Sequence, residues 1–304
     1  MIIPDFVTQI KEMIVKGDKR YPCYSNRASS IGYFVPELEG CLRRGVYERT
    51  NWQDKEAYNS NSLLRFKEGN SQETILLNDL SVSGIQVIEQ QSSFVWEKYQ
   101  ISGHLDGVIV IDGKSVPIEI KSMAPNIFSG IKTLEDFKKK PWTKAYLAQI
   151  QIYMLFKNID TAIFFLKDKS SGDLKQINVE LDYEIAESCV KTAEIINNHV
   201  DTKTLPERIT NIDKCKECPF KLLCLPGLNF GTELKIEQDT EFELKLDKYL
   251  SIASISSECE KLWEVIKNRA KASATVDGNL NIIVGKYRLT AKSGKQFRLI
   301  IDKI

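Results

Sequence analysis

Residues 103–122 read Gly-His-Leu-Asp-Gly-Val-Ile-Val-Ile-Asp-Gly-Lys-Ser-Val-Pro-Ile-Glu-Ile-Lys-Ser, and the reading of this stretch decides the fold. Asp112-Gly113 separates two runs of alternating apolar residues, which is the chemistry of a two-residue hairpin turn. Such a turn sets Ile111 against Lys114, and the same register carries Asp106 to a position facing Glu119 and His104 to one facing Lys121. All four side chains then project from one face, with Leu105, Ile118 and Ile120 on the other. Two facing carboxylates repel each other and weaken a sheet. An exposed polar face tolerates such a pair; the sharper alternative is a divalent cation between them. An all-oxygen carboxylate site suits magnesium or manganese. Lys121 would point an ammonium at the same spot, where it can orient an attacking water or stabilise charge developing on a phosphate.

Outward from the hairpin, helical spacing of apolar residues predicts helices over residues 1–17, 35–47 and 63–80. Pro141 stands where a first helical residue would, opening a helix to about Phe156. Alternating segments lie near 85–88, 105–111 and 116–120, with a further strand pair at 162–166 and 175–181. A helix follows to about Asn198. Residues 201–230 form an irregular stretch bearing cysteines, 240–272 a long polar helical region, and a hairpin turning near Ser293-Gly294 closes the chain. The expectation is an α/β fold, a mixed central β-sheet flanked by helices. It divides into a core over residues 1–230 and a C-terminal arm of helices and a basic β-hairpin over 231–304.

The chain has 304 residues and a net charge of +1, from 42 basic and 41 acidic side chains. That balance excludes a polycation that holds nucleic acid by bulk charge. Any basic surface must be local, and residues 271–304 carry seven basic against two acidic side chains. Lys286 and Arg288 alternate there with Tyr287 and Leu289, which predicts one cationic face. No apolar run is long enough to span a bilayer, and the first residues lack the pattern of a signal peptide. The expected location is therefore cytoplasmic, where seven cysteines are core thiols or metal ligands rather than a disulfide framework.

Asp106 followed by Glu119-Ile120-Lys121 resembles the PD-(D/E)xK nuclease superfamily. The proline of that name is absent here; Gly103-His104-Leu105-Asp106 takes its place, as in RecB-type nuclease domains. The resemblance implies a restriction-endonuclease-like core in which Asp106, Glu119 and the carbonyl of Ile120 bind the metal. Two helices complete the pattern. Glu73 shares a predicted helix face with Phe66, Gly69, Leu76, Leu77 and Leu80, an expensive place for an acid without a partner. Gly69 would let another element approach closely. Gly69-Asn70-Ser71-Gln72-Glu73 is similar to the acidic Gly-x-x-x-Glu motif of RecB-type domains, which implies that Glu73 is a further metal ligand. Gln149 and Tyr153 lie on one face of the helix after the hairpin and are similar to the Gln-x-x-x-Tyr motif that supports site and substrate. Lys138, Lys139, Lys140 and Trp142, just before that helix, could hold phosphates and stack a base. His104 is readable as a structural histidine or as one touching substrate or metal.

Cys215, Cys218 and Cys224 are separated by two and five residues, and the close pair suits a shared metal. A fourth ligand must come from elsewhere; Cys41 is favoured over Cys23, Cys189 and Cys259. Cys41-Leu-Arg-Arg-Gly-Val-Tyr47 followed by a distant three-cysteine cluster resembles the iron–sulfur group of RecB-type nucleases, which includes AddB-type subunits and CRISPR-associated adaptation exonucleases. That resemblance implies a [4Fe-4S] cluster held by Cys41, Cys215, Cys218 and Cys224, with zinc the alternative. It also implies an exonuclease acting on DNA ends or single strands, with protein partners in recombination, repair or CRISPR adaptation. A structure- or sequence-specific endonuclease, and a non-catalytic DNA-binding or assembly factor, are the competing readings.

Overall fold

The computed structural model describes residues 5–227, 234–252, 256–292 and 297–304. The chain forms two compact units, Met1–Leu205 and Pro206–Ile304, whereas the sequence placed the division at 230/231. Among the described residues no helix is long and apolar enough to cross a membrane.

The first unit is built on a five-stranded sheet whose spatial order follows the chain: Val87–Ile88, Gly107–Ile111, Lys114–Met123, Thr161–Asp168 and Leu174–Glu180. The Asp112-Gly113 turn forms with positive φ at both residues, and Ile111 faces Lys114 as expected. Every neighbouring pair is antiparallel except Lys114–Met123 with Thr161–Asp168. A parallel pair needs a crossover, and here the crossover carries the helix Pro141–Lys157, opened by Pro141 and closed by Asn158 in the left-handed region. That helix is buried on several sides. Leu147, Ile150 and Met154 join one apolar cluster with Phe164 and Leu166 of the sheet. Ala148, Ile152 and Tyr153 join a second with Ile31, Phe34, Ile101 and Leu105. Gly32 is required here, because a Cβ on it would lie 2.6 Å from Ala145 Cα.

The long helix Ser60–Val82 covers one face of the sheet through Leu76, Leu77 and Leu80, against Ile109, Val116, Ile118 and Ile120. Phe66 does not join them; it is exposed and packs edge-on against Tyr58. Gly69 permits no close approach either, since a Cβ there would meet only Ser122 Oγ at 4.0 Å. The helix predicted over 35–47 begins later, at Leu42–Thr50, because Pro36–Leu38 forms a single tight turn and Glu39 has φ of 62°.

The strand predicted over 105–111 is broken at Asp106. Ile101–Leu105 belongs to a separate three-stranded sheet, antiparallel to Ser92–Trp96 and parallel to Asn26–Arg27. His104 therefore faces Ser93 and not Lys121, and Leu105 enters a different apolar cluster from Ile118 and Ile120.

In the second unit a four-stranded sheet runs in the order Arg298–Lys303, Tyr287–Lys292, Leu280–Val284, Lys235–Glu237. Helices Thr240–Ile252 and Ser256–Ala272 cover one face through Phe242, Leu246, Ile266 and Ala270. On the other side Ile236 and Ile283 meet Leu225 and Leu234. The predicted turn at Ser293-Gly294 lies outside the described residues. The expected cationic face is largely neutralised: Lys286 pairs with Asp247 at 2.7 Å and Arg288 with Asp302 at 2.9 Å.

A candidate carboxylate–lysine active site

Asp106 occupies the bend where the chain leaves one sheet for the other. Because the bend takes it off the ladder, its side chain turns onto the neighbouring strand and Oδ2 accepts from Ile120 N at 2.7 Å. Glu119 and Lys121, two apart on Lys114–Met123, share a strand face and form an ion pair. Glu119 is fully buried, Asp106 nearly so, and the Lys121 side chain retains 20% exposure. The carboxylates thus converge as the sequence implies, although through a bend and a backbone N–H and not through a facing ladder pair.

Glu73 reaches the same place from the helix Ser60–Val82. Burial and then the adjacent Asp106 raise its carboxyl to about 7, and Gln91 Nε2 donates to it. Burial also raises Asp106, opposed by Lys121 and the Ile120 N–H. Glu119 is pushed up to about 8, by burial first and Asp106 second, with Lys121 opposing. Burial works against the Lys121 ammonium, yet Glu119 and Asp106 outweigh it and hold the lysine charged. Crowded acids in a low-dielectric setting with one retained cation are the electrostatics of a functional site.

One atom is left over. Glu119 Oε2 is buried without a hydrogen-bond partner, a costly condition for a carboxylate oxygen. Among the described residues no three His, Cys, Asp or Glu side chains stand ready-arranged to hold a metal ion: Glu119 is engaged by Lys121 and Asp106 by Ile120. The donor chemistry nevertheless fits a hard divalent cation, with acidic oxygens from three elements and one of them lacking any partner.

Gln149 and Tyr153 stand behind the bend. Gln149 Nε2 donates to Tyr153 Oη at 2.8 Å, and Tyr153 Oη donates to the His104 carbonyl at 2.6 Å. The glycine at 103 lets Tyr153 pass, since a Cβ there would lie 3.1 Å from its ring. This chain of bonds pins the residues leading into Asp106. His104 itself is exposed at the rim.

Asp106, Glu119, Lys121, His104, Gln149 and Tyr153 border an open cleft of about 720 Å³. Its other wall comes from residues 22–29, including Tyr24, Arg27 and Ser29, which the sequence reading missed. The strand that brings them, Asn26–Arg27, is two residues long and carries no periodicity. Tyr146, one helical turn before Gln149, was also missed; Lys121 Nζ lies 4.9 Å from its ring centre. Of the lysines expected at phosphates, Lys138 pairs with Glu135 and Lys139 with Asp136.

The cysteines divide between the units. Cys41 lies at the start of Leu42–Thr50 in the first. In the second, Cys215 sits on the short helix Ile212–Glu217, Cys218 caps it, and Cys224 ends Lys221–Cys224. Cys215 and Cys224 both border the cluster of Leu225, Leu234, Ile236 and Ile283. Cys23 donates to Ser25 O at the cleft wall.

No protein-family model matches the chain, and no curated protein matches it. Solved structures with a related arrangement include SSO0001, 16% identical with a TM-score of 0.44, spanning 74% of this chain and 99% of that one. An alkaline exonuclease from Laribacter hongkongensis is 15% identical with a TM-score of 0.41, over 63% of this chain and 93% of its own. A phage-related exonuclease from Haemophilus somnus 129PT is 12% identical with a TM-score of 0.41, over 61% and 97%. Likenesses this distant bear on neither reaction nor substrate.

Proposed function

We propose that this chain is a magnesium- or manganese-dependent deoxyribonuclease, an exonuclease hydrolysing phosphodiester bonds from DNA ends or single strands. The observation that carries the reading is the unpartnered, fully buried oxygen of Glu119 beside Asp106 and Lys121 in an open cleft. Asp106, Glu119, the carbonyl of Ile120 and Glu73 would hold the cation. When bound, it supplies charge neutralisation to the carboxylates and Lewis-acid activation to the attacking water. The reaction forms a bond from water oxygen to phosphorus and breaks the phosphorus–oxygen bond to the departing nucleotide. Lys121 presents its ammonium to the cleft, where it positions that water and offsets charge gathering on the phosphate oxygens. Gln149 and Tyr153 hold the His104 carbonyl, and through it the bend that aims Asp106.

A time course on end-labelled single- and double-stranded DNA, with each metal and with chelator, tests the reaction. Metal-dependent release of short products from linear DNA, none from circular single strands, and no activity in Asp106→Asn are expected. Cleavage of the circles would replace the exonuclease by an endonuclease. An active Asp106→Asn protein would remove the assignment altogether. On the second unit, we propose that Cys215, Cys218 and Cys224 ligate an iron–sulfur cluster, with zinc as the competing occupant.

A further inference from the structure

Lys121 and Tyr146 stand together on one side of the cleft. The Lys121 ammonium lies over the ring of Tyr146, and Trp142 packs edge-on against that ring at 5.8 Å. Beyond it stands Tyr33, half-buried, with the Arg44 guanidinium 4.7 Å above its ring. Next comes Tyr58, 41% exposed, with Lys55 Nζ 5.9 Å from its ring centre and Phe66 packed edge-on at 5.0 Å. These rings are neighbours: Gly32 packs directly on Ala145, which sets Tyr33 beside Tyr146, and the cations on Tyr33 and Tyr58, Arg44 and Lys55, meet on Glu48. They come from different parts of the chain, the turn after Ala28–Ile31, the loop before Ser60–Val82 and the helix Pro141–Lys157.

Tyr33 and Tyr146 each rest one side on an apolar cluster, but core packing does not require a cation at each of the three rings. Tyr58 and Phe66 are exposed and belong to none of the apolar clusters. Arg44 and Lys55 share one acid, Glu48, at 3.9 and 2.8 Å, so one positive charge is left over. Arg44 Nε is also buried without a hydrogen-bond partner, and a phosphate oxygen would satisfy it. Alternating stacking planes and cations suit a single nucleic-acid strand, whose unpaired bases expose π-faces and whose phosphates recur along the backbone. A duplex keeps its bases stacked on each other and offers the rings nothing.

We propose that Tyr146, Tyr33 and Tyr58, with Lys121, Arg44 and Lys55, form a track that receives a single DNA strand next to the cleavage point, the rings stacking bases and the cations meeting phosphates. The proposal rests on the nuclease reading for its direction, since the track begins at Lys121. Without the strand, each cation occupies a ring face that a base would take, and at Tyr58 the flexible Lys55 stem can move aside.

Binding in chelator tests the track without any cleavage. Fluorescence anisotropy of a labelled single-stranded oligonucleotide on the full chain should show Tyr58→Ala binding roughly tenfold more weakly than the parent. Tyr58→Phe, which keeps the ring, should bind as the parent does. An oligonucleotide of the same length with abasic sites should bind parent and Tyr58→Ala alike, because it offers phosphates but no bases. Unchanged affinity of Tyr58→Ala for the natural strand overturns the proposal. So does an equal loss on the abasic strand, which would reduce the surface to charge alone. An active Asp106→Asn enzyme would instead defeat the nuclease reading and leave the binding result standing.

Discussion

At the scale of single residues, the site is governed by which acids keep a proton. The Glu119 carboxyl is raised to about 8, well above the ordinary glutamate value of about 4.3. Between those two values the native state holds a proton that the unfolded chain has released. Stability in metal-free buffer should therefore fall as pH rises through that window, by at most about 1.4 kcal/mol per pH unit for one proton. Glu119→Gln removes both the proton and the repulsion from Asp106. It should be inactive, yet at least as stable as the parent in chelator near the upper end of the window, with a flatter dependence of melting temperature on pH. Thermal melts across pH, run beside a nuclease assay, would read both; a markedly destabilised variant would mean that the pair is structural. Lys121→Met should still bind metal but cut roughly 100- to 1000-fold more slowly, as when one charge-stabilising group is lost from a transition state. Unchanged single-turnover rates would remove Lys121 from the chemistry.

At the scale of elements, the bend at Asp106 depends on the bond from Tyr153 to the His104 carbonyl. Tyr153→Phe leaves a carbonyl and the Gln149 amide without their partner, at a cost of about 1–3 kcal/mol. The same variant should slow cleavage while its metal affinity falls, because Asp106 loses its aim; a variant as stable and as active as the parent would show that the bond positions nothing. How far this was legible in the sequence follows from the same elements. The Asp112-Gly113 turn, the register of Ile111 on Lys114 and the helix opened by Pro141 are set by local chemistry, and residue types alone give them. The break at Asp106 is not local. Ile101–Leu105 turns away because Ser92–Trp96 and the two-residue strand Asn26–Arg27 capture it. Neither announces itself by an alternating pattern, and the second is too short to have one. Glu73 lies beside Asp106 although two of its supposed neighbours were misplaced: Phe66 faces solvent, and Gly69 has only Ser122 Oγ near it. Tyr146, Tyr24 and Arg27 went unseen because only the folded chain brings them beside the carboxylates.

At the scale of the whole molecule, charge and cysteine placement separate the two units. The basic excess of residues 271–304 looked like a handle for DNA, but Lys286 and Arg288 are spent on Asp247 and Asp302 within the second unit. Lys286→Ala should therefore leave the salt dependence of DNA binding unchanged, where a true phosphate contact would lower its slope by roughly one charge. The cysteine stretch is held by backbone contacts: Arg208 donates to the Cys224 carbonyl and Arg288 to the Pro226 and Gly227 carbonyls. Its described helices, Ile212–Glu217 and Lys221–Cys224, have six and four residues, far below the length at which a helix is stable by itself. Phe220, between them, is fully buried, and Leu225 joins a cluster with Leu234, Ile236 and Ile283. Ligation of Cys215, Cys218 and Cys224 to a common metal group would add a further constraint, since such binding is coupled to folding. Protein purified without air should then be brown, with broad visible absorption and iron and sulfide in stoichiometric amounts. Cys218→Ala should lose the colour and become sensitive to protease within residues 206–227, while Cys23→Ala, altered at the cleft wall, should keep it. Colourless protein with stoichiometric zinc would replace the cluster by a zinc site. Protein holding neither, and as protease-resistant as before when Cys218 is replaced, would mean that packing alone holds the segment.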